Sequence, residues 1–416
     1  ISFALNGAAP SESKQLWESI YEITNLFVGE SDGLSPDNIY AAMNTTFGAK
    51  PTLQLIADKK KMAPLRTQLA KLYKEKSRIQ AAQAASETEL KVSIMGQRYI
   101  PDAEITQRLT KYRHRDFPRG LDVPAAFGSR KAKSILLNTY KEAEKWPDYE
   151  KYLAQLTKEF AVIHESKWTS NLYYSWLYCL KSIIERDPNG RYPFFMRNTA
   201  WDTKCLNTFT ASWAELRHNT VLYALQSGAE GGDGDEEKPE IDYPRCFLEP
   251  NPTFYKRMLA IAELTNSSLT KYSVLDNDQK TAMDDFHRMM KFLDTINNKE
   301  LEGLPITRHE HEEMRSIGAL VEAIDIRSSF IPYESEVTAD GQTPEELMRE
   351  GHDGVIVDVH NSMGNCLEVG VGSGNVIFVA AEIEGKLRLL RGSVFSYYEF
   401  TRPTSERLDD HAWHEM

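Results

Sequence analysis

Cysteine is scarce. Cys179, Cys205, Cys246 and Cys366 are the only four in 416 residues, too few for a small disulfide-built scaffold, and none forms a CxxC pair or sits beside a His at zinc-ligand spacing. They fit either two bridges or four buried thiols. Positive charge is also in deficit: 49 Lys and Arg stand against 61 Asp and Glu, a net charge of −12. That balance argues against a nucleic-acid binder, which needs a cationic face for phosphates, and against docking on an anionic membrane. No run approaches the ~18 apolar residues that span a bilayer, so no integral membrane segment is expected. Internal repeats of solenoid period are lacking. The common chemical signatures are missing as well: there is no Gly-x-Ser-x-Gly elbow and no phosphate loop. His309-Glu310-His311 and His164-Glu165 lack the second His four residues on that would put two imidazoles on one helix face. Gly370-Val371-Gly372-Ser373-Gly374 has a strand on both sides rather than a strand and a helix N-terminus, so it reads as a turn between strands.

What remains is an ordinary water-soluble composition with a mean hydropathy of −0.48 and chain enough for one large helical body or two domains. Leu16, Trp17, Ile20, Ile23 and Phe27 fall at helical spacing over 12–28, with Ser11 as a candidate N-cap, and Ser35-Pro36-Asp37 opens a second helix. Residues 52–80 are basic and helix-prone, with a kink or split expected at Pro64. The stretch 91–128 reads as irregular, and a long irregular segment inside a compact body often lines a site. Helical patterns resume at about 130–145, 147–163, 166–186, 199–226, 252–272, 276–300 and 307–324. Between them, 228–240 is the single low-complexity stretch, an expected exposed loop and the expected first site of proteolytic nicking. After 350 the period changes to that of strands, over Val355–Val359, Leu367–Val371, Val376–Ile383, Lys386–Leu390 and Val394–Phe400, with Glu384-Gly385 as a hairpin turn. The fold class is therefore mainly α, a helical domain over 1–350 closed by a small antiparallel β element over 351–416.

Candidate chemistry concentrates at Glu215, Arg217 and His218. On a helix, Glu215 and His218 lie three apart on one face, a spacing that supplies two metal ligands or an acid/base pair, and equally an ordinary Glu–His contact inside a core. Asp284-Asp285-Phe286-His287 offers only an Asp version of the same motif. Arg98 and Asp102 stand in the irregular segment as substrate-orienting groups. Trp176, Trp201, Trp213 and Tyr223 belong to an aromatic-rich region that could stack on a glycan or peptide, though at this density most such rings are core. No cofactor is indicated.

Several segments together resemble the family catalogued as domain of unknown function 3160. They are Met95–Asp102 (MGQRYIPD), Gly120–Val123, Ala126–Ser129, Asn171–Tyr178 (NLYYSWLY), Pro193–Arg197, Ala200–Thr208, Ala211–His218 (ASWAELRH), Arg391–Phe400, Arg407–Asp410 and Trp413. The agreement runs in order from about Trp17 to Trp413. Asn219 stands where the family tends to have Asp, and Leu225 where it tends to have Lys. The resemblance implies an extracytoplasmic location, because members read as secreted proteins or lipoproteins of microbes. It also implies a longer protein with an N-terminal half upstream, which agrees with a start at Ile1-Ser2-Phe3 that has neither Met nor leader. Two functional expectations follow. The first is a secreted or surface binding protein for a glycan or peptide, with that N-terminal half or another protein chain as a further partner. The alternative is an extracytoplasmic hydrolase, metal-assisted in one form, centred on Glu215 and His218.

Overall fold

The computed structural model describes residues 11–48, 51–76, 79, 93–110, 115–185, 192–220, 245–328 and 354–416. The low-complexity stretch at 228–240 and Tyr223 lie outside the described residues. The chain is predominantly helical and ends in antiparallel β structure. It divides into two compact units, one of residues 1–115 and 164–174, the other of 116–163 and 175–416.

In the first unit, α1 (Ser11–Val28), α2 (Pro36–Phe47), α3 (Lys59–Lys76) and α4 (Pro101–Thr110) are the main elements. The start of α2 follows from its sequence. Ser35 accepts from the Asn38 N–H while Asn38 Oδ1 accepts from the Ser35 N–H, and Pro36 occupies a position whose N–H would be orphaned anyway. Gly48 closes α2 in the left-handed region. The break expected at Pro64 falls earlier, at Asp58; α3 runs through Pro64, which lies in its second turn and forfeits one helical hydrogen bond. Leu34, Ala42, Met43, Leu65 and Leu69 form a core cluster here, from α3 positions four apart and the opposing face of α2. The segment 91–128 is less irregular than its composition suggests, since α4 occupies ten of its residues.

In the second unit, α5 (Tyr149–Ala161) buries Tyr149, Leu153, Leu156 and Phe160 at helical spacing. The helix α6 (Leu172–Ile184) begins at the unit boundary, and α7 (Thr199–Thr220) buries Trp201, Cys205, Phe209, Trp213 and Leu216 along one stripe. Then follow α8 (Pro252–Lys271), α9 (Asn277–Glu302), α10 (Arg308–Arg315) and α11 (Ile317–Ser328). The helix α9 opens on a reciprocal Asp276/Gln279 capping box and ends at Gly303. Strands β1 (Ile356–Ser362), β2 (Asn365–Gly370) and β5 (Tyr398–Pro403) form one antiparallel sheet in the order β1-β2-β5, and β3 (Asn375–Ile383) pairs with β4 (Lys386–Val394) in a separate hairpin. The turn at Glu384-Gly385 is as expected, with both residues at positive φ, which suits the twist of a two-residue hairpin loop. A short helix α12 (Asp410–His414) follows, and Trp413 packs on Tyr398 and Phe400 while its Nε1 donates to the Val371 carbonyl. All four cysteines are free thiols; burial pushes Cys179 and Cys366 up to about 12.

One buried knot joins the loop before the short helix Asp122–Ala126 to β5. Arg119 Nε donates to Glu142 at 3.0 Å, its Nη1 lies 3.5 Å from Glu399, and its guanidinium stacks 4.0 Å from the Tyr140 ring centroid. The Gly120 N–H and the Tyr397 hydroxyl both donate to Glu399 Oε2, at 2.6 and 3.0 Å, while Tyr149 donates to Asp122. A Cβ at residue 120 would lie 1.9 Å from the Tyr397 hydroxyl oxygen. Gly120→Ala is therefore expected to cost about 3 kcal/mol, from overpacking and a broken charged hydrogen bond. Urea unfolding checks it; a midpoint within error of wild type would show that this junction yields freely.

Candidate functional site

Helix α7 delivers Glu215 and His218 to one face near its C-terminal end, as their spacing requires. There α12 provides the partner that sequence reasoning did not anticipate. His218 Nε2 donates to Asp410 Oδ2 at 2.8 Å, and Asp410 Oδ1 accepts the Ile356 N–H at 2.9 Å, at the start of β1. The other ring nitrogen, Nδ1, meets Asn219 Oδ1 at 3.1 Å. Both imidazole nitrogens thus face oxygen acceptors, an arrangement that suits the doubly protonated ring. The hydrogen bond to Asp410 raises the His218 pKa, against the desolvation that lowers it. Burial works against the Asp410 charge, yet the hydrogen bonds from His218 and the Ile356 N–H hold its carboxyl below the ordinary value. Burial pushes the Glu215 carboxyl up, and the neighbouring His218 only partly offsets this.

The remaining expected site residues are distributed as follows. Arg217 stacks against Trp213, 5.8 Å from the ring centroid. Trp213 is fully buried, and Trp201 sits in a second core cluster, edge-on to Phe195 with Lys204 over its other side. These two rings are walls of the core rather than exposed platforms. Trp176 is exposed at the surface and donates through Nε1 to the Ser212 hydroxyl at 3.0 Å. Arg98 and Asp102 belong to the first unit and not to the unit that carries Glu215 and His218. Asp102 is fully buried and accepts from the Tyr173 hydroxyl at 2.8 Å. Arg98 donates to Asn25 Oδ1 and lies 4.7 Å over the Tyr21 ring. Its Nη1 also donates to the Gly29 carbonyl at 3.3 Å, while Nη2 is buried without a hydrogen-bond partner.

His309-Glu310-His311 opens α10 behind the Thr307 cap, with Glu310 completing a capping box and paired to Lys299. His311 is buried, and its Nδ1 accepts from the Cys246 N–H. Among the described residues, no group of three or more His, Cys, Asp or Glu side chains is placed to hold a metal ion. No described helix is long and apolar enough to cross a membrane.

The sequence profile described as Protein of unknown function (DUF3160) matches residues 3–416. The chain belongs to this family. Neither a curated protein nor a solved structure matches it. The family assignment therefore carries no residue roles, and the chemistry rests on the geometry above.

The His218–Asp410 pair makes a signed prediction. The stability that His218 lends is complete below its ordinary value of 6.5 and is lost as pH rises through its raised folded pKa. The Asp410 share is present above its ordinary 3.8 and is lost as pH falls through its depressed folded value. Wild type should exceed His218→Gln by about 1 kcal/mol between pH 4 and 6.5, a figure kept small because Asp410 is more than one-third exposed. Denaturant midpoints across pH test this. A gap that stays constant as pH climbs would mean that the pair contributes no charge-dependent stability.

Proposed function

We propose that the protein is an extracytoplasmic binding protein whose ligand is an extended polypeptide, held on the outer face and open edge of the β3–β4 hairpin. The observation that carries this reading is a breach of strand alternation. The inner face obeys it: Ile377, Val379, Ala381 and Leu390 pack against Phe195, Trp201 and Cys205. The outer face should then be polar. Instead it carries Val376 at 53%, Phe378 at 65%, Leu387 at 70% and Leu389 at 73% exposure. Ala380 pairs with Leu389 and Phe378 with Arg391, so Phe378 and Leu389 are diagonal neighbours on one apolar surface. Contiguous exposed apolar side chains of this kind mark interaction sites. Among the described residues the hairpin pairs with no third strand, which leaves its two edges as places where a strand can add.

An extended peptide satisfies both features at once. Its backbone pairs with an edge, and its alternate side chains cover the apolar face. A glycan would satisfy neither, and the burial of Trp201 and Trp213 removes two of the rings that a sugar platform would use. The hydrolase reading has less behind it: His218 has Asp410 at Nε2 and Asn219 at Nδ1, but no nucleophile or metal-holding group stands beside it among the described residues. The extracytoplasmic location is supported by likeness to a family whose members read as secreted proteins or lipoproteins.

Peptides selected from a random library on the wild-type protein provide the test. A Phe378→Asp/Leu389→Asp variant should fold with nearly unchanged stability, since both side chains are exposed, and should bind those peptides at least tenfold more weakly, about 1.4 kcal/mol. Peptides that bind the variant equally well would overturn the proposed surface. Glycan-array hits with no peptide selected would overturn the ligand class.

A further inference from the structure

The two strands of the β3–β4 hairpin differ at their outer edges. Both residues of the Glu384-Gly385 turn have positive φ, the geometry of a two-residue loop whose flanking residues, here Ile383 and Lys386, hydrogen-bond to each other. The direction of the backbone groups alternates along a strand. Ile377, Val379 and Ala381 therefore aim their N–H and C=O groups at β4, while Val376, Phe378 and Ala380 aim theirs away from it, along the far edge of β3. The pairing has no register shift from Asn375 to Ile383, and Asn375–Ala381 contains neither charge nor proline. The devices that blunt an edge, a charged side chain, a proline or a bulge, are thus missing from β3 over this stretch. The other strand is different, since Lys386, Arg388 and Arg391 place three cations within six residues of β4. An edge with six successive apolar residues, Val376–Ala381, is an aggregation hazard unless a strand covers it. Among the described residues no third strand does.

Charge narrows the partner further. Arg391, opposite Phe378, is the one cation of the outer face, and it makes no ion pair among the described residues. Glu382, the one acid of that face, stands four residues along β3 from Phe378, about 13 Å away, too far to neutralise it. Resting on the peptide reading above, we propose that the ligand adds to the β3 edge as a third strand, and that it is an apolar segment with a carboxylate set beside Phe378 for Arg391 to engage. A glutamate at that place is two strand spacings from Arg391, about 9.5 Å, a gap that two long side chains close between them. A lysine or arginine there would meet like charge. A proline in the segment would withhold an N–H that the edge needs.

The test uses the full chain and the peptides selected on it. Backbone N-methylation of a peptide, one residue at a time, should weaken binding about tenfold at alternate positions and leave it nearly unchanged between them. Ala380→Pro removes an outward N–H and no β3–β4 hydrogen bond, so it should also weaken binding about tenfold. Ser393→Pro does the same to the far edge of β4 and should bind within about twofold of wild type. If Ala380→Pro does not fold, a benzophenone-bearing peptide locates the strand on wild type, by cross-linking to residues 376–382 rather than 387–393. The selected peptides should carry more Asp and Glu than Lys and Arg, and Arg391→Gln should weaken their binding roughly two- to fivefold. Loss in Ser393→Pro alone, cross-links confined to β4, or an N-methyl scan without alternation would overturn addition at β3. A wild-type dimer that Ala380→Pro turns into monomers would do so too, because a second copy then occupies the edge. Unchanged binding by Arg391→Gln would overturn the carboxylate. All of these can occur while Phe378→Asp/Leu389→Asp still loses its peptides, which separates a failure here from a failure of the outer-face reading.

Discussion

The Arg119 knot is the constraint on which the second unit depends most. Two carboxylates and a tyrosine hydroxyl are withdrawn from water around a guanidinium that stays partly exposed, and the carboxylates are acceptable there because donors surround them. The loop ahead of the short Asp122–Ala126 helix is thereby fixed to β5, 279 residues away in sequence. Gly120 has to be glycine because the Tyr397 hydroxyl occupies the space a Cβ would need. Burial and the N–H of Gly120 pull the Glu399 pKa in opposite directions, with burial prevailing, so the donors around this carboxyl offset only part of the cost of burying its charge. Secondary structure alone would leave strand and loop independent of each other.

The same logic recurs at smaller scale at the C-terminus. Asp410 bonds to His218 on α7 and to the backbone at the head of β1, while Trp413 closes over Gly370, Tyr398 and Phe400. A tail of a dozen residues is thus tied down by one charged contact and one aromatic contact. His218 holds the tail through Nε2 alone, while its Nδ1 faces Asn219 on the same helix.

Much of this architecture is legible from sequence because it is written in local terms. The Ser35-Pro36 helix start, the Thr307 and Asp276 caps, the α7 stripe and the Glu384-Gly385 turn are each decided by neighbours within a few residues. Composition misleads where it stands in for period. The Gly, Pro and Arg content of 91–128 concealed the α4 helix, whose Pro101 is at home in a first turn. Pro64 is tolerable inside α3 because it lies near the start of the helix. The pattern at 307–324 read as one helix, yet it divides at Ser316 into α10 and α11.

The amino-acid sequence by itself determined the helical body, the β-rich C-terminus and the family, through periodicity, caps and ordered segments that need no distant partner. It also placed Glu215 and His218 on one helical face. Only the tertiary structure decided what those groups do, because the partner of His218 lies 192 residues further along the chain and that of Gly120 lies 279 residues away. Exposure was equally out of reach. Phe378 and Trp213 are both large apolar side chains in regular elements, one outside and one fully buried. Which of them meets water is settled by packing of remote elements against each strand and helix, and no local pattern encodes that.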